Sequence, residues 1–149
     1  MTEVLFYHLE RQPLERVLPL LLEKSLARGW RAVVQAGSEE RVAALDAALW
    51  TYREDSFLPH GSAGDGAADM QPVFLTSGAD NPNKAEIRFL VDGAEASDTA
   101  GYARLVYLFD GRDETALASA RGAWKAMQAQ GHDVTYWQQD EAGRWVKKA

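Results

Sequence analysis

The 149-residue sequence contains no cysteine, so it can form neither a disulfide framework nor a thiolate metal site. Nucleophilic catalysis by cysteine is excluded for the same reason. The histidines are few and widely separated at His8, His60 and His132, and no two of them share one helix face at the spacing of metal ligands. We therefore predict that the chain binds no metal.

Long apolar runs are also missing, as is a basic amino-terminal segment followed by an apolar stretch. These absences predict a cytoplasmic protein that makes no membrane contact. The formal net charge is -6. Because nucleic-acid affinity comes largely from Lys and Arg side chains that release counterions, strong direct binding to DNA is not expected.

The sequence also lacks a recognisable phosphate-binding loop. The first predicted strand leads into residues 8–11, which lack both the spaced glycines of a dinucleotide fold and the Gly-Lys-Ser/Thr of a phosphate loop. The glycine-rich stretch 61–66 follows no strand, and its Asp65 would repel phosphate. We identify no catalytic and no cofactor-binding residue. The alternative is a nucleotide-dependent enzyme that uses the crevice at the carboxyl ends of the strands, near His8 and Asp110.

Short apolar runs that alternate with amphipathic stretches predict the secondary structure. The run 4–7 predicts a buried strand, and the leucines between Leu14 and Leu26 predict a helix that ends at Gly29. Pro19 conflicts with a regular helix, so we expect the regular part to begin near it. Ser38 is expected to cap a second helix. Further strands are predicted at 32–36, 72–75, 87–91 and 105–109, an edge strand at 134–137 and a last helix at 112–130.

This order of elements predicts an α/β fold with a Rossmann-like, mostly parallel sheet flanked by helices and without a nucleotide-binding fingerprint. The segment 50–70 is rich in glycine and small polar residues, which predicts a long loop. Trp50 and Phe57 lie in this segment. Trp50 is either a cap of the core at the end of the second helix or an exposed contact for a partner, and Phe57 either pins the loop to the sheet or is such a contact.

The last predicted helix carries an apolar stripe bordered by two cations. Spacing of about 100° per residue places Trp124 on the stripe and Arg121 and Lys125 beside it. One interpretation is a core-facing helix with a buried Trp124 and two solvated cations. The other is a shallow apolar pocket edged by cations, which would suit an acidic peptide that ends in an apolar residue and a free carboxylate.

One block of the sequence is specific enough to indicate a family. It reads LDAALW at 45–50 and continues as SFLPH at 56–60 with glycines at 64 and 66. This block resembles the pattern LDxxLW and SFxPHxxxGxG of the DNA polymerase III chi subunit family of bacteria. Similarity continues at Phe6-Tyr7 and in the ARGAWK stretch at 120–125, so it covers essentially the whole chain.

The resemblance implies one chi-like domain over residues 1–149, with a sheet that binds no nucleotide and no cofactor. It also implies a non-catalytic accessory subunit that acts in DNA replication. Members of the family link the clamp-loader assembly, through the psi subunit, to the acidic carboxyl-terminal tail of single-stranded DNA-binding protein. A repair helicase is a further partner that the resemblance implies, through the same face as psi.

Two sets of site residues follow from the resemblance. The tail pocket of the family falls on Arg121 and Trp124, with Lys125 beside them. Most members have Tyr where this chain has Trp124, which keeps a planar apolar wall but changes its size. The psi or helicase contact falls on Trp50, Phe57 and Pro59.

Overall fold

The computed structural model describes residues 2–52, 58–96, 99 and 101–149. These residues form one eight-stranded sheet with the strand order β3-β4-β2-β5-β6-β1-β7-β8. In chain order the elements are β1 (Glu3–Leu9), α1 (Leu14–Ala27), β2 (Ala32–Gln35), α2 (Glu39–Thr51), β3 (Gly61–Ser62), β4 (Val73–Thr76), β5 (Ile87–Leu90), β6 (Arg104–Asp110), α3 (Glu114–Ala129), β7 (Asp133–Gln139) and β8 (Trp145–Lys147).

Every pairing in the sheet is parallel except that of β7 with β8. The predicted α/β class with a mostly parallel, Rossmann-like sheet is therefore confirmed. Among the described residues, no helix is both long and apolar enough to cross a membrane.

The helix boundaries follow local signals. The Ser38 side chain accepts a hydrogen bond from the Arg41 N–H at the start of α2, and Gly29 has a φ of 84° just beyond α1. The expectation that the regular part of α1 begins near Pro19 is wrong. The helix begins at Leu14 and contains Pro19 as a buried interior residue, so packing against the sheet outweighs the lost backbone donor.

The side chains of β1 alternate between two cores. Leu5 and Leu9 point to the face that α1 and α2 cover, where they join the leucines of both helices. Val4 and Phe6 point to the opposite face, where α3 contributes Met127. The sheet therefore separates α1 and α2 from α3.

The prediction that the strand near 134–137 is the sheet edge is wrong. β7 pairs with β1 on one side and with β8 on the other, so the short strand β8 is the edge. The turn between them is held by the Asp140 carboxylate, which accepts the N–H groups of Ala142 and Arg144 at 2.9 Å. These bonds lower the pKa of Asp140. The sequence did not predict β8, because its three residues are too few to show a period-2 pattern.

Within the predicted loop 50–70, residues 61–65 are more ordered than their composition suggests. Gly61–Ser62 pairs with β4 as a short strand, and Asp65 accepts the backbone N–H of Ser62 at 2.8 Å. Asp65 therefore has a local structural role in a capping box.

A buried arginine joins β5 to neighbouring segments. Arg88 is 2% exposed, and all five of its N–H donors have acceptors. Two go to the Gln35 side-chain oxygen and one to the Tyr102 hydroxyl. The remaining two go to the carbonyl oxygens of Gly78 and Asp80. The turn after β4 is thereby fixed to the middle of the sheet.

Gly111 follows β6 where the His8 imidazole fills the space that a side chain would need. A Cβ at Gly111 would lie 1.7 Å from His8 Nε2. We predict that Gly111→Ala lowers the free energy of unfolding by about 1–3 kcal/mol, because the imidazole must move. Urea denaturation followed by circular dichroism measures this.

Gly122 in α3 offers the matched control, since a Cβ there meets nothing within 4 Å. Gly122→Ala should raise the free energy of unfolding by about 0.5–1 kcal/mol, because alanine is the better helix former. The His8→Ala background should remove most of the cost of Gly111→Ala. An equal cost in both backgrounds would contradict the steric argument.

Candidate functional site

Helix α3 packs on the sheet through small residues and leaves its tryptophan at the border. Ala120, Ala123 and Met127 face the core formed with β1 and β6. Trp124 is partly buried, and its ring meets Phe6 edge-on at a centroid distance of 5.5 Å. The indole is therefore neither sealed in the core nor free in solvent.

Three partly exposed rings form a continuous surface beside α3, which we call the aromatic shelf: Phe109, Trp124 and Tyr136. Tyr136 is the middle ring, with centroid distances of 5.9 Å to Trp124 and 6.0 Å to Phe109. The first pair is edge-to-face and the second is tilted; contacts of this kind fix ring orientation, and a well-oriented aromatic pair adds about 0.5–1.5 kcal/mol. The shelf is therefore a preformed apolar surface.

The cations of α3 lie next to this shelf. Arg121 and Lys125 are exposed, and neither forms an ion pair within the described part of the chain. Arg121 interacts electrostatically with the shelf, because its charge influences the pKa of the Tyr136 phenol. Burial raises the pKa of Tyr136, Glu10 raises it further, and Arg121 lowers it.

His8 supports the shelf from the end of β1. Its Nδ1 is hydrogen-bonded to the Tyr136 hydroxyl, and its Nε2 lies 2.9 Å from Glu10 Oε1. The ring also contacts Phe109 at a centroid distance of 5.3 Å. With both nitrogens engaged and the residue 8% exposed, His8 holds Tyr136 in place.

The arrangement joins an apolar surface to unpaired donors. A guanidinium beside a planar ring suits a ligand with an apolar group next to a carboxylate. Sequence reasoning named Arg121, Trp124 and Lys125 as candidates for the tail site but did not include Phe109, Tyr136 and His8. Strand parity was the signal available for these three, since even-numbered residues of β1 and β7 and odd-numbered residues of β6 share the α3 face.

The second predicted contact lies at the carboxyl end of α2. Trp50 is 52% exposed, which excludes its interpretation as a buried cap of the core. Its ring lies 4.6 Å from that of His60, which is itself buried and bonded to Asp46 Oδ1 at 3.0 Å. Pro59 is partly buried beside them in sequence, and Phe57 lies outside the described residues.

A cleft of about 490 Å³ opens at the carboxyl ends of β1, β5 and β6, where the alternative nucleotide site was expected. Its lining includes five carboxylates but only two guanidinium groups, those of Arg41 and Arg112. Arg41 is already bonded to Asp92 at 2.8 Å. The excess of negative charge is unfavourable for a nucleotide phosphate. His8 does not line this cleft, and within the described ranges no cluster of side chains has the make-up of a metal site.

Fold and site together define an α/β protein whose sheet carries no phosphate loop and whose best candidate sites are exposed aromatic surfaces. The family model described as "DNA polymerase III chi subunit, HolC" matches residues 1–135. The chain therefore belongs to the DNA polymerase III chi subunit family.

A curated relative agrees with this family. It is named "Probable DNA polymerase III subunit chi" from Rickettsia prowazekii (strain Madrid E) and is 28% identical over 91 residues. The match covers 61% of this chain and 55% of the relative, so the chain matches little more than half the relative's length.

Glu10 and Arg121 have opposite effects on the pKa of the Tyr136 phenol, and this gives a test of the geometry of the site. We predict that Arg121→Ala raises the pKa of the Tyr136 phenol, because a cation that stabilises the phenolate is lost. Glu10→Gln should lower it, because a carboxylate that destabilises the phenolate is lost. NMR titration of the tyrosine ring carbons measures both shifts. Shifts of the same sign would contradict the placement of Arg121 beside the shelf.

Proposed function

We propose that the protein is a non-catalytic adaptor that binds the acidic carboxyl-terminal tail of single-stranded DNA-binding protein at the aromatic shelf. A second surface, around Trp50, would bind the psi subunit or an equivalent clamp-loader component. The observation that carries the tail site is the unpaired Arg121 beside the partly exposed ring of Trp124. Family membership supports a role within the DNA polymerase III assembly in the cytoplasm.

In this mechanism the last apolar side chain of the tail packs on Trp124 and Tyr136. Its carboxylate accepts hydrogen bonds from Arg121, and Lys125 attracts the acidic residues that precede it. Burial of a Phe side chain contributes about 1.5–3 kcal/mol, and a charged hydrogen bond contributes about the same. Ordering a flexible peptide offsets much of this gain, so we expect micromolar affinity. Several tails on one partner oligomer would strengthen it by avidity.

The fold supports simultaneous binding of two partners. Trp50 belongs to α2, which packs on one face of the sheet, whereas Arg121 and Trp124 belong to α3 on the other. A tail bound at α3 would therefore leave the α2 surface open. This separation is what a bridge between two proteins requires, and a repair helicase could take the Trp50 surface in place of psi.

The charge of the 490 Å³ cleft disfavours the alternative of a nucleotide-dependent enzyme. Five carboxylates line the cleft with two guanidinium groups, so a nucleotide phosphate would be repelled. Saturation with ATP, GTP or NAD should leave the thermal midpoint unchanged, because a ligand that binds the native state would raise it.

We predict that Arg121→Ala weakens binding of a labelled tail peptide tenfold or more, as expected for loss of about 1.5–3 kcal/mol. Fluorescence anisotropy measures the affinity. Arg16→Ala is the control, because it removes an equal charge from α1 on the opposite face and should leave binding unchanged. Both variants should keep the wild-type melting temperature, since both side chains are exposed.

The affinity of the tail peptide should also fall as salt rises, because part of the attraction is between charges. A plot of log affinity against log salt concentration should have a smaller slope for Arg121→Ala than for the wild type. Unchanged affinity in Arg121→Ala would place the tail site elsewhere, and a salt-independent affinity would indicate an apolar contact alone.

The two surfaces should be separable by mutation. Trp50→Ala should lose clamp-loader subunits in affinity capture followed by mass spectrometry, and should keep single-stranded DNA-binding protein. Arg121→Ala should show the reverse pattern. Loss of both partners in either properly folded variant would contradict two independent surfaces.

A further inference from the structure

The hairpin of β7 and β8 lies largely outside residues 1–135 that match the family model, and it brings a basic strand to the edge of the sheet. Lys147 is opposite Trp137, and Val146 is opposite Gln138. The Lys148 N–H donates to the Tyr136 carbonyl at 2.7 Å, and the Tyr136 N–H donates to the Ala149 backbone oxygen at 3.2 Å. Residues 148 and 149 therefore lie together opposite Tyr136, as in a β-bulge.

Directly opposed residues of an antiparallel pair project to the same face of the sheet. Gln138 and Val146 are such a pair on the α3 face, and Lys148, two residues beyond Val146, shares that face with Tyr136, the middle ring of the aromatic shelf. Lys147 shares the other face with Trp137, which packs in the core beneath α1. Two adjacent lysines of one strand are therefore directed to opposite sides of the sheet.

Three exposed cations, Arg121, Lys125 and Lys148, belong to the α3 face, and Glu10 is the carboxylate that acts on the middle ring of the aromatic shelf. Lys148 is exposed, and no carboxylate of the described residues forms an ion pair with it. Arg121 and Lys125 are likewise exposed and unpaired on α3, across the shelf from the edge strand. Val146, which is 36% exposed, adds apolar surface on the same face through its pairing with Gln138.

We propose that Lys148 is a specificity-determining residue of the tail site, and that the tail crosses the aromatic shelf from α3 to the edge strand. This inference rests on the proposed function. The terminal carboxylate is held by Arg121, and the acidic residues before it lie between Lys125 and Lys148. The occupant is an extended acidic segment, since charges from two different elements line one apolar strip.

Charge reversal at the two lysines tests this directly. The probe is a synthetic peptide with several aspartates before a terminal Phe carboxylate, compared with a peptide in which asparagines replace the aspartates. Lys148→Glu should weaken binding of the acidic peptide roughly twofold to fivefold, in the range of exposed ion pairs. It should change binding of the asparagine peptide much less. Lys147→Glu introduces the same charge one residue away and should have little effect on either peptide.

Equal effects of Lys147→Glu and Lys148→Glu would overturn the proposal, because they would show only a change in overall charge. No effect of Lys148→Glu, with binding still lost in Arg121→Ala, would overturn it while leaving the tail site on α3 intact. No effect of either Lys148→Glu or Arg121→Ala would overturn the tail site as well. Lys148 is hydrogen-bonded through its backbone N–H, so Lys148→Glu should keep the wild-type melting temperature. Equal melting temperatures of the variants would show that weaker binding is not caused by unfolding.

Discussion

The alternation of β1 between two cores is the constraint on which the rest of the molecule depends. This strand pairs with β6 on one side and β7 on the other, and its residues are buried on both faces. Its side chains therefore pack alternately into the two hydrophobic cores on the two faces of the sheet. Phe6 orients Trp124 from below, while Leu5 and Leu9 anchor the helices across the sheet. Two partner surfaces can then be built on one small fold without sharing side chains.

The rings of the aromatic shelf belong both to the core and to the surface. Trp124 and Tyr136 each bury one part of the ring against the core and present another part to solvent. Their mutual contact and the support from His8 hold them in one orientation, so little conformational freedom remains to be lost when a ligand binds. Under the proposed function, such a surface would let a short peptide bind weakly yet specifically, as an adaptor that releases its partner requires.

Sequence patterns predicted the elements whose signals are local. The strand at 32–35, the cap at Ser38 and the end of the last helix near residue 130 all depend on neighbouring residues, and all were predicted. The edge strand β8 and the short strand β3 were missed, because they exist only through pairing with distant segments. Arg121 and Trp124 were recognised from a motif, whereas Tyr136 joins them only through the register of β7 on β1. Long-range register is what one sequence does not display.

Arg88 has a consequence for how this chain can vary. Its five donors serve a side-chain amide, a phenol and two carbonyl groups, and no carboxylate of the described residues neutralises it. Lysine has only three donors and no fork geometry, so it would leave acceptors stranded in a dry interior. An apolar replacement would strand all of them. We therefore expect even Arg88→Lys to destabilise the fold, and substitutions at Gln35 or Tyr102 to remove acceptors on which Arg88 depends.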